Sequence, residues 1–78
     1  MKIDIYKSST NNTKYVSVKS GQNPVINDAD LKQKTLFKSN VEINAGESRI
    51  AFDSNAAIAA IENQNYYIHA AEVTFNSN

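Results

Sequence analysis

A chain of 78 residues with no cysteine makes one small domain, residues 1–78, whose thin core no disulfide can reinforce. Eight basic side chains balance eight acidic ones, which argues against tight nonspecific nucleic-acid binding. With a single histidine, a zinc site would need carboxylates for most of its ligands, so no metal is expected.

In chain order, the opening MKIDIYKSS alternates apolar and polar residues and lacks the apolar run of a signal peptide, so a cytoplasmic location is expected. Ile3 and Ile5 mark a half-buried strand, SSTNNT at 8–13 a turn, and Val16 and Val18 a returning strand. Setting Lys7 opposite Lys14 brings Ile5 to Val16, Ile3 to Val18 and Tyr6 to Tyr15, so the two faces of this hairpin agree. Gly21 and Pro24 end the second strand. Residues 24–34 then read either as a short helix capped within NDAD or as an ordered loop carrying Val25, Ile26 and Leu31.

From Thr35 to Ile43 a third strand sets Phe37, Val41 and Ile43 on one face. NAGE at 44–47 suits a turn, returning a fourth strand with Ile50 opposite Ile43 and Phe52 opposite Val41. Asp53 or Ser54 caps a helix over about 54–64, with Ala57, Ile58 and Ile61 on one stripe and Asn65 as its left-handed stop. AAIAAI at 56–61, the longest apolar run, is too short to cross a bilayer.

The last segment, Tyr66 to Phe75, is a strand whose alternation changes phase. A bulge at Ala70–Ala71 would turn Tyr66, Ile68, Ala71, Val73 and Phe75 inward. Tyr67, His69, Glu72 and Thr74 would then face outward, and His69 would titrate as it does in solution. The elements follow the order ββ-x-ββ-α-β, an α+β domain with a mostly antiparallel sheet of about five strands and one helix on one face.

No constellation for catalysis is present. The serines stand in turn contexts, the two glycines stand apart, and His69 has only Glu72 as a nearby acid, so neither an enzyme nor a cofactor is expected. Candidate binding residues are the outward Tyr6, Tyr15, Tyr67 and His69, with Lys2 and Lys19 flanking the hairpin tyrosines. As a stacking platform, Tyr6, Tyr15, Lys2 and Lys19 would serve single-stranded nucleic acid. The plainer account is an aromatic pair that stabilises the hairpin.

Charge is split along the chain. Residues 1–39 hold all seven lysines and three acids, a balance of +4, while residues 40–78 hold one arginine and five acids, a balance of −4. Pairing of basic with acidic strands is the simple account, and an interaction surface the other. Abundant asparagine, lysine and isoleucine match the AT-rich coding common in phage and other mobile elements.

One helix, about 10 Å across, cannot cover a sheet roughly 19 Å wide. The surplus apolar face calls for cover from residues 24–34 or from a second copy of the chain, and a homodimer is expected. The functional expectation is a small cytoplasmic interaction protein without enzymatic activity, which occludes an unidentified protein partner. A single-stranded nucleic-acid-binding module is the alternative, and no membrane role is expected.

Overall fold

The computed structural model describes residues 1–46 and 53–70. Its architecture is α+β: strands β1 (Lys2–Ser8), β2 (Lys14–Lys19), β3 (Lys34–Glu42) and β4 (Tyr66–Ala70), with helix α1 (Ser54–Gln64) between the last two. The sheet is antiparallel throughout, in the order β3-β1-β2-β4. Four strands thus form it among the described residues, where about five are expected. The return strand through Ile50 and Phe52, and the bulge and strand beyond Ala70, lie outside the described residues.

Local chemistry accounts for the element boundaries. Asp53 accepts the Ala56 N–H at 3.0 Å to open α1, and Asn65, at φ 77°, closes it by donating its own N–H to the Ile61 carbonyl. In the β1–β2 turn, Ser8 Oγ accepts the N–H groups of Thr10 and Asn11, and Asn11 Oδ1 accepts the N–H of Thr13. Each side-chain acceptor satisfies a backbone donor that neither strand nor helix would otherwise engage.

The hairpin register differs from expectation by one residue. Lys7 lies opposite Tyr15, Tyr6 opposite Val16, Ile5 opposite Ser17 and Asp4 opposite Val18. The two apolar pairs therefore face opposite sides of the sheet. Ile3 and Ile5 pack with Ile43, Ala57 and Ile61 under α1, while Val16 and Val18 pack with Ile26 and Leu31 on the other face. The expected register assumed one buried face and one wet one. A second apolar layer removes that constraint, because burying each large aliphatic side chain is worth about 1.5–3 kcal/mol on whichever side cover exists.

That second layer is the connector between β2 and β3. It forms a single 3-10 turn, Ala29–Leu31, opened by Asp28, whose carboxylate accepts the Asp30 N–H at 2.9 Å. Leu31 is fully buried and Ile26 nearly so, whereas Val25 is 92% exposed and takes no part. Among the described residues, the Val16 and Val18 face is thus covered from within the chain.

On β3 and just beyond it, Phe37, Val41 and Ile43 do share the α1 side: Phe37 meets the Tyr15 ring, and Val41 and Ile43 join the helix-side core. The β1–β3 ladder shifts register twice between Ile3 and Tyr6, and Asn40 sits in the left-handed region at φ 55°. Asp4 holds this irregularity. Its carboxylate accepts the Asn40 N–H at 3.0 Å, the Gly21 N–H at 3.2 Å and the Ser20 hydroxyl at 2.8 Å. Burial pushes the Asp4 carboxyl up, but these three bonds outweigh it and hold the group below its ordinary value.

Candidate functional site

The β2–β4 ladder places Tyr15 opposite His69 and Ser17 opposite Tyr67. In the observed hairpin register Tyr15 and Ser17 share a face with Ile5, so all four side chains lie on the α1 side. Tyr67 and His69 therefore point inward, against the expectation that they face solvent. Tyr66 and Ile68 do pack inward, but on the connector side.

The His69 ring stacks between two tyrosines, 5.8 Å from Tyr15 at 12° and 5.4 Å from Tyr67 at 21°. Phe37 extends this row across the sheet, edge-on to Tyr15 at 5.1 Å. Ser17 Oγ lies 2.7 Å from His69 Nε2, so that one hydroxyl or ring proton is shared between them. Burial lowers the imidazole pKa to about 4, against a smaller upward contribution from its hydrogen bond with the Ala70 backbone. The ring is thus neutral at pH 7. Burial, with the charge of Asp53, raises the Tyr67 phenol.

A serine hydroxyl on a neutral imidazole is the geometry of an activated nucleophile. Here Ser17 is fully buried, and Tyr15 beside it is 8% exposed. No substrate atom reaches Oγ in this arrangement. Its direct consequence is to tie the edge strand β4 to β2.

Of the six candidate binding residues, the fold brings Tyr15, Tyr67 and His69 together and separates the other three. Tyr6 lies on the connector face, packed against the core there, with Lys34 Nζ 5.6 Å from its ring centroid. It does not face Tyr15, so the hairpin platform expected for nucleic acid does not form. Lys2 stands opposite Glu42 at the far end of β1. Lys19 lines an open cleft of about 490 Å³ with Met1, Pro24, Ile61, Glu62 and Asn65.

What sequence reasoning missed lies on β3. Among the described residues the large exposed apolar side chains are Val25, Leu36 at 55% and Phe37 at 42%. Two of these are neighbours on the edge strand β3, between Lys34 and Lys38. The signal was present in KTLFK at 34–38: two large apolar residues stand side by side in a strand that elsewhere alternates.

The lysines around them have no carboxylate partner among the described residues. Among the described residues the one ion-paired lysine is Lys14, held by Asp28 at 3.0 Å and Asp30 at 3.2 Å, both within the basic half of the chain. These bonds raise the Lys14 pKa and, with a hydrogen bond from Asn11, lower that of Asp30. Lys7, Lys32, Lys34 and Lys38 form no ion pair there.

No cluster of three potential metal ligands occurs among the described residues, and no helix there is long and apolar enough to cross a membrane. No protein-family model matches the chain, and neither a curated protein nor a solved structure matches it.

Proposed function

We propose that this protein is a small, non-enzymatic binding module that works by protein–protein contact, and that its contact surface is the outer side of β3. The observation that carries this reading is the exposed pair Leu36 and Phe37, set among lysines with no carboxylate partner among the described residues. Exposed large apolar side chains cost stability unless something covers them. Unpaired lysines beside them favour a partner with acidic residues over a second copy of this chain. A cytoplasmic setting belongs to the same reading. The asparagine- and lysine-rich composition supports an origin in a phage or other mobile element.

The test compares the wild-type chain with Lys34→Glu/Lys38→Glu and with Leu36→Ser/Phe37→Ser as bait in a host lysate. A protein retained by the wild type, lost from both variants and released by salt is the expected result. Capture unchanged by either variant would place the contact surface elsewhere. Binding of single-stranded oligonucleotide at low salt, with no protein captured, would favour a nucleic-acid module instead.

A further inference from the structure

The Leu36–Phe37 pair constrains how a partner approaches, an inference that rests on reading the outer side of β3 as the contact surface. Successive residues of a strand point to opposite faces of the sheet. Leu36 stands opposite Tyr6 and shares its face, together with Lys34. Phe37 lies on the α1 side, against Tyr15. A partner laid flat on either face would cover one of the two and leave the other in water. A chain running alongside β3 would reach both, because its own side chains alternate between the same two faces about 4.8 Å away.

The backbone permits this. β3 is last in the sheet order, and among the described residues no strand pairs with its outer side. From Lys34 to Leu36 the ladder to β1 is regular, with Ser8 opposite Lys34, Lys7 opposite Thr35 and Tyr6 opposite Leu36. One register shift falls at Phe37, between the Tyr6–Leu36 and Ile5–Lys38 pairs, and the second lies beyond Lys38, where Asn40 is left-handed. The stretch open to an added strand is therefore short, Lys34 to Lys38, with one irregularity at Phe37.

Charge selects the occupant. Lysines on an edge strand discourage pairing between like edges. In a second copy of this chain paired antiparallel about Leu36, Lys34 of each copy would come close to Lys38 of the other. Carboxylates placed there would instead meet unpaired cations. We propose that the outer side of β3 at Lys34–Lys38 receives an extended acidic segment of a partner protein as an added strand. Its apolar side chains would cover Leu36 and Phe37, and its carboxylates would engage the lysines.

The probe is a capped peptide of about seven residues with Ile-Val at its centre and glutamates on both sides, titrated into the full chain at low salt. Two further versions carry N-methyl groups on alternate amides, one set along each edge of the extended peptide. The parent peptide should shift the amide resonances of Lys34–Lys38 and bind more weakly as salt rises. One methylated version should lose at least about tenfold in affinity and the other should keep it, since only one edge donates to β3. Equal binding of all three peptides, or none by any, would overturn strand addition. Capture of a protein by the wild type and not by Lys34→Glu/Lys38→Glu would leave the contact-surface reading standing in either case. A dimer in light scattering that Leu36→Lys dissolves would put a second copy on this edge and overturn the proposal as well.

Discussion

Ser17 Oγ and His69 Nε2 meet at 2.7 Å along a diagonal of the β2–β4 ladder, where Ser17 pairs with Tyr67 and His69 with Tyr15. The contact closes a partly buried polar pair on the helix side and couples an inner strand to its neighbour. Its consequences can be measured.

The first is a pH dependence. The imidazole takes its proton at 6.5 in the reference state and at about 4 in the fold. Between those values the unfolded chain binds the additional proton. Stability is therefore complete above about pH 6.5 and is lost as pH falls toward 4, by about 3 kcal/mol in all. Asp4 and Asp30, both lowered from 3.8, weaken the fold only further down in pH. Urea unfolding at pH 7 and pH 4.5 should show the loss in the wild type and little of it in His69→Gln. Equal wild-type midpoints would mean that His69 titrates as a solvated group.

Ser17→Ala leaves the buried ring nitrogen without this partner while changing volume little. The expected cost is about 1–3 kcal/mol. In a double-mutant cycle with His69→Phe, the two losses should couple by at least about 0.5 kcal/mol. Strict additivity would show the contact to be energetically idle.

Within the connector, two apolar residues should behave oppositely. Leu31 is fully buried against Val16 and Val18, and Leu31→Ala should cost about 2–5 kcal/mol. For a domain of this size that loss approaches the whole stability. Val25 is 92% exposed, and Val25→Ala should change stability by less than about 0.5 kcal/mol. Chemical denaturation of both variants checks whether the second face of the sheet is sealed by this segment.

Asp4 joins three segments through one carboxylate, so Asp4→Ala should free the Asn40 and Gly21 amides together. The expected loss is about 1–3 kcal/mol, with faster hydrogen exchange at both amides. Exchange unchanged at Asn40 would mean that the irregular part of β3 holds itself.

Much of this fold is readable from residues close together in the chain. Helix α1 is announced by an acceptor side chain at Asp53, by the alanine-rich run after it and by Asn65, which adopts φ 77° at little cost. The first two strands and their turn are likewise written in a period of two and a run of hydroxyl and amide side chains. These features depend on contacts a few residues apart, so no knowledge of the rest of the molecule is needed.

The hairpin register, by contrast, cannot be chosen locally. Lys7 opposite Lys14 and Lys7 opposite Tyr15 are both sound pairings, and they differ in whether Val16 and Val18 share a face with Ile3 and Ile5. That choice turns on Ile26 and Leu31, which reach back over the sheet from an irregular connector with little periodicity of its own. The same choice carried Tyr15, and with it His69 and Tyr67, from an expected wet surface to the helix side, and separated Tyr6 from them. Composition and periodicity determined the elements and the class of the fold. Which faces are dry, and hence which polar groups are buried together, was decided by long-range cover, because burial is a property of the assembled layers and not of any strand alone.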